Sequence, residues 1–83
     1  MSSYRTVQSE YQGKVEKVFV NRGGFVHEWE PLFSIKTAHG SVKKVEISSC
    51  GIVEKVNVRT GDIVVADMTL AILKEDQLPS GSD

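Results

Sequence analysis

Two histidines, one cysteine, a lysine pair and one tryptophan are the side chains of this 83-residue sequence whose chemistry reaches beyond packing. His39, in Ala38-His39-Gly40-Ser41, carries an imidazole, the side-chain type best suited to exchange protons near neutral pH. It suits a metal ligand, a proton carrier or a phosphoryl acceptor, and its plain reading is an exposed turn residue. Cys50 is a thiol that needs a neighbouring cation or base to become reactive; placed just before Gly51, it reads first as a small, partly buried structural residue. Lys43-Lys44 supplies two primary amines and reads as a solvated pair, while Trp29, between two glutamates and ahead of Pro31, reads as an exposed indole open to partner contact. A metal site needs three or four convergent ligands. His27, His39 and Cys50 have no close ligand spacing, so no metal is expected. There is no Ser/His/Asp set and no paired-acid motif, and Gly23-Gly24 lacks the Lys-Ser/Thr of a phosphate loop. The chain is not expected to be an enzyme by itself.

The elements that must position these groups come from a repeat. Gly13-Lys14-Val15-Glu16-Lys17-Val18-Phe19-Val20 returns as Gly51-Ile52-Val53-Glu54-Lys55-Val56-Asn57-Val58, 38 residues later. The register continues from Gly23 to Gly61, Val26 to Val64, Leu32 to Leu70 and Ile35 to Leu73. Two copies are too few for a solenoid, which needs about three, so the repeat predicts a pseudo-twofold domain in which each half completes the other's core. Valines alternating with polar residues, short runs of Val, Ile and Phe, and frequent turn residues all indicate β-strands. Phe25 and Phe33 are expected to help fill the core, and Glu16-Lys17 and Glu54-Lys55 to face outward. Gly61-Asp62 suits backbone positions with positive φ. The unique segment between the copies predicts two strands, around Ile35-Thr37 and Val45-Ile47, joined by a bend at His39-Gly40-Ser41.

Composition bounds the rest. Eighty-three residues make one domain with a modest core. The net charge of −1, with both signs interspersed, argues against nucleic-acid binding. A single cysteine excludes an internal disulfide and fits a reducing compartment, and no apolar run is long enough for a leader or a membrane span. A cytoplasmic protein without membrane contact is expected. Residues 1–10 read as a flexible N-terminal arm, 11–75 as the folded domain and 76–83 as a disordered tail.

The repeated pattern G-x-V-x-x-V-x-V, then G-[D/G]-x-V, then leucine about six residues on, resembles the biotinyl/lipoyl domains of biotin-dependent carboxylases and 2-oxo-acid dehydrogenases. The similarity covers residues 12–74. It is most specific in Ile47-Ser48-Ser49-Cys50-Gly51-Ile52-Val53, followed by Gly61-Asp62-Ile63-Val64 and Leu70. It implies an all-β barrel-sandwich hybrid, a flattened barrel of two four-stranded sheets related by a quasi-dyad, with the cofactor carried on a lysine at the tip of the hairpin joining the halves. Biotin carriers place that lysine in a Glu-Ala-Met-Lys-Met-like run and lipoyl carriers in Glu-Thr-Asp-Lys-Ala. Here Ile35-Lys36-Thr37-Ala38-His39-Gly40-Ser41-Val42 puts His39 at the acceptor position, with Lys36 and Ala38 in place of the flanking acids. Imidazole cannot form the amide that holds biotin or lipoate. The leading expectation is a carrier-like module with no cofactor, presenting His39-Gly40 to a protein partner such as a carboxylase or acyltransferase subunit. The hairpin reads as one residue longer than usual, so the alternative is a covalent biotin or lipoate carrier using Lys43 or Lys44. Phosphoryl transfer through His39 is a third reading, by analogy of fold alone. The family's turn glycine is replaced by Trp29 in the first copy and Asp67 in the second. Because Trp tolerates a left-handed conformation poorly, the loop around Trp29 is expected to be built differently from its twin.

Overall fold

Val and Ile at alternate positions favour a pleated, half-buried backbone, and in the computed structural model, which describes residues 3–75, they build eight strands. These are β1 (Ser3–Gln8), β2 (Gly13–Val18), β3 (Phe25–Val26), β4 (Phe33–Thr37), β5 (Val42–Val45), β6 (Gly51–Val56), β7 (Ile63–Val64) and β8 (Thr69–Glu75). They form two four-stranded antiparallel sheets, ordered β1-β8-β6-β3 and β5-β4-β2-β7. Advancing every residue of the first order by 38, and letting the chain wrap round, produces the second: the repeat in the sequence is a quasi-dyad in space. This is the barrel-sandwich hybrid that the resemblance implies.

The symmetry extends to individual backbone bonds. Gly23 N–H donates to Val53 C=O at 2.7 Å, and Gly61 N–H to Val15 C=O at 2.8 Å. Phe19 N–H donates to Leu32 C=O and Asn57 N–H to Leu70 C=O, at 2.9 and 2.8 Å. Each copy thus lays its loop across a strand of the other and completes its backbone bonding. Both long strands carry an extra residue at the same place, between Val15 and Lys17 in β2 and between Val53 and Lys55 in β6. The bulge explains how Glu16-Lys17 and Glu54-Lys55 are all exposed although they are adjacent in sequence.

The core lies between the sheets and takes Val7, Val15, Val20, Val26, Leu32, Phe33, Ile35, Val45, Val53, Val58, Val64, Leu70, Ala71 and Leu73. Phe33 is fully buried, as expected. Phe25 is not a core residue: it is 38% exposed, because β3 is a two-residue edge strand in which Val26 takes the inward position. Its ring lies edge-on to His27, with centroids 4.9 Å apart.

The expected N-terminal arm also requires correction. Residues 3–8 form β1, paired with β8 from Ser3↔Glu75 to Gln8↔Thr69, and Val7 and Ser9 are buried. Ser9 is a satisfied buried polar group, since its Oγ donates to Tyr11 C=O at 2.6 Å and accepts Tyr11 N–H at 3.0 Å. The tail expected at 76–83 lies outside the described residues. At the open end of the β1–β8 ladder, Ser3 Oγ donates to Glu75 Oε1 at 3.0 Å and Arg5 Nε lies 3.1 Å from Oε2. The Ser3 hydroxyl foremost, with Arg5 adding to it, holds the Glu75 carboxyl below its ordinary value near 4.5. A depressed folded-state value contributes stability above that ordinary value and loses it as pH falls through the folded one. Glu75→Gln is therefore expected to lower the urea midpoint at pH 7, and the gap between wild type and variant should close in acid. A gap that stays unchanged as the pH is lowered stepwise from 7 into the acid range would contradict this.

Candidate functional site

The segment that breaks the symmetry is the β4–β5 hairpin. β4 and β5 pair from Phe33↔Val45 to Lys36↔Val42, just as β8 and β1 pair on the other half, where no turn connects them. The loop is Ala38-His39-Gly40. Gly40 N–H donates to Thr37 C=O at 2.9 Å, and Thr37 N–H donates to Ser41 C=O at 2.8 Å. Gly40 has φ 84°, the left-handed residue that closes a three-residue hairpin loop. That loop is one residue beyond the commonest two-residue turn. His39 therefore sits at the outermost bend, exposed, with no hydrogen bond or ion pair among the described residues. β5 begins at Val42 and ends at Val45, so Ile47, expected in this strand, lies beyond it.

Lys43 and Lys44 are not in the turn. Both are exposed on β5, Lys43 opposite Ile35 and Lys44 opposite Ser34. Lys44 instead lines a cleft of about 210 Å³ with Gln8, Glu10, Tyr11, Trp29, Val45 and Glu46. The structure thus brings Trp29 and Lys44 to one place and leaves His39 at another. Cys50 is half-buried before Gly51. His27 is exposed, its Nδ1 3.6 Å from Glu30 Oε1. Among the described residues, no three His, Cys, Asp or Glu side chains converge as metal ligands.

The loop at Trp29 is not built differently from its twin. Trp29 has φ 62° and Asp67 φ 71°. Trp29 N–H donates to Ile47 C=O at 2.8 Å, Asp67 N–H to Ser9 C=O at 2.7 Å, and the turns closed by Glu30 N–H to His27 C=O and Met68 N–H to Val65 C=O are both 3.2 Å. The fold imposes the left-handed turn, and the indole, 62% exposed, accepts its cost. That cost is about 1–2 kcal/mol, from the clash of Cβ with the following carbonyl oxygen, and Asn offsets part of it by local side-chain hydrogen bonding. Trp29→Asn is thus expected to raise stability by roughly 1 kcal/mol, read as a higher urea midpoint. A lower midpoint would mean that indole contacts in the cleft outweigh the strain. At Gly61-Asp62 only the glycine is left-handed, with φ 98°. Asp62 serves through its carboxylate, which accepts Arg59 N–H at 2.8 Å.

Sequence reasoning missed β1 and the row of outward side chains Val42, Lys36, Lys14 and Ile63, aligned across β5, β4, β2 and β7. A signal for β1 existed. Carrying the offset of 38 backward maps Ser3 to Ser41, Arg5 to Lys43 and Val7 to Val45, so the repeat begins well before Gly13.

No protein-family model matches the chain, and no curated protein matches it. Among solved structures it is similar to the urea carboxylase of Kluyveromyces lactis, with a TM-score of 0.78 and 24% identity over 86% of this chain and 6% of that one. The chain therefore spans a small fraction of that enzyme's length, and the likeness is one of fold.

Proposed function

We propose that the chain is a non-catalytic biotinyl/lipoyl-like module that presents its 38–40 hairpin to a protein partner with no prosthetic group attached. The observation that carries this reading is the make-up of the turn: Ala38, His39 and Gly40 include no primary amine, while the hairpin that would display one is fully built. Biotin or lipoate attached through an amide does not fit a bend whose outermost side chain is imidazole, and the nearest amines on β5, Lys43 and Lys44, stand on the strand rather than at the bend. The fold likeness to a segment of a urea carboxylase supports a carboxylase subunit as the partner class, with an acyltransferase subunit as its lipoyl-side counterpart. Catalysis would reside in that partner.

Titration calorimetry of the unmodified protein against carboxylase and acyltransferase subunits of its own host tests this. Binding is expected, weakened on the order of tenfold or more when Ala38 and His39 are both changed to Glu, as for residues at the centre of an interface. Binding indifferent to the tip variant would overturn the reading.

A further inference from the structure

The outer face of the hairpin-bearing sheet is charged in a way its twin is not. The strands β2, β4, β5 and β7 carry five lysines, Lys14, Lys17, Lys36, Lys43 and Lys44, against one acid, Glu16. β4 alternates with Phe33 and Ile35 inward, so Ser34 and Lys36 share the outer face. Register then lays out that face as two rows: Val42, Lys36, Lys14 and Ile63, and beside it Lys44, Ser34 and Lys17. Lys14 and Lys36 are directly opposite, an arrangement of like charges that destabilises a sheet. None of these lysines is in an ion pair: among the described residues the pairs are Arg5–Glu75 and His27–Glu30. Between Lys44 and Lys17, Ser34 is 2% exposed and its hydroxyl has no hydrogen-bond partner among the described residues. Apolar side chains flank the row at both edges, Ile63 at 66% and Val42 at 49% exposure. The quasi-symmetric row on the other sheet reads Tyr4, Lys74, Ile52 and Phe25, with one lysine in place of two.

We propose that this face, continuous with the hairpin, docks an acidic surface of the protein partner. Carboxylates would lie against Lys14, Lys36, Lys17 and Lys44, and apolar side chains over Ile63 and Val42. The proposal deepens the hairpin-docking reading and rests on it for the partner's being a protein. The apolar edges, Ile63 and Val42, favour the carboxylates of a protein over a free phosphate, because they match a protein surface better than a small anion. A binding partner would relieve the Lys14–Lys36 repulsion, which no ion pair among the described residues offsets.

The test is an NMR titration of the labelled protein with a hexaglutamate peptide at low salt. Shifts are expected at Lys14, Lys17, Ser34, Lys36, Lys44 and Ile63, fading as salt rises from about 20 to about 200 mM and the screening length shortens. They should be lost in K14E/K36E and unchanged in R22E/R59E, which alters two exposed arginines outside these strands. The neutral variant K14Q/K36Q should fold at least as well as wild type and bind on the order of tenfold more weakly, as steering charges are removed. Shifts centred on Arg22 and Arg59, or none, would overturn the proposal. So would a stronger response of the same face to inorganic phosphate or to phosphatidylserine vesicles. The tip variant should leave the hexaglutamate response intact. If it does while subunit binding ignores the tip, the hairpin reading fails and the acidic-ligand face stands. If subunit binding needs the tip but ignores K14E/K36E, the face proposal alone fails.

Discussion

Phe33→Ala is expected to cost about 3–5 kcal/mol, the range for removing a large aromatic from a packed core. Phe33 is the largest fully buried side chain and lies mid-sheet, opposite Val18 on β2 and Val45 on β5. Its quasi-symmetric counterpart is Ala71, also buried. The two related positions therefore hold one large and one small side chain, and the variant would leave alanine at both, with no neighbour poised to fill the void. A domain of this size is stable by about 4–12 kcal/mol, at 0.05–0.15 kcal/mol per residue, so the loss takes a large share of the total. The melting temperature should fall by roughly 12–40 °C, at about 4–8 °C per kcal/mol. A loss under about 1 kcal/mol would mean that the two sheets do not close over Phe33 as described.

Gly51→Ala is expected to be nearly as damaging, for a different reason. A Cβ at Gly51 would stand 2.2 Å from the Lys74 carbonyl oxygen, and one at Gly13 would stand 2.3 Å from that of Lys36. These glycines are quasi-symmetric, and both face backbone atoms, which cannot rotate away as a side-chain end would. Each substitution must push two strands apart where β6 meets β8, or β2 meets β4, and should cost about 2–3 kcal/mol, in the range for overpacking. Urea denaturation of each variant measures it. Because the two positions are equivalent, near-equal losses are expected. A wild-type midpoint for either would show that the strands do not approach so closely there.

These two sites also show what was legible in the sequence. The repeat announced Gly13 and Gly51 as equivalent and the offset of 38 implied the pseudo-twofold, while the two four-stranded sheets followed from the family resemblance. It was read from Gly13 onward because the strong identities begin there. The weaker agreement upstream, a serine, a basic residue and a valine, was overlooked, and with it β1. Phe25 was misplaced because alternation in a two-residue edge strand cannot say which residue points inward. The loop at Trp29 was misjudged because intrinsic preference was weighed without the tertiary bonds that fix the turn, Trp29 N–H to Ile47 C=O above all. The hairpin and the position of His39 at its bend were readable, since Gly40 supplies the left-handed residue such a loop requires. The lysine face was not. Lys14, Lys17, Lys36 and Lys44 come from three separate strands, and only the register brings them together.

Whether the carrier-like hairpin is presented without a prosthetic group is decided by the intact mass of the protein from its own host. The host's ligases, biotin and lipoate must be present and its other carriers fully loaded. The unmodified mass is expected. An added biotinyl or lipoyl mass, mapped to Lys43 or Lys44, would contradict it and make the chain a working covalent carrier.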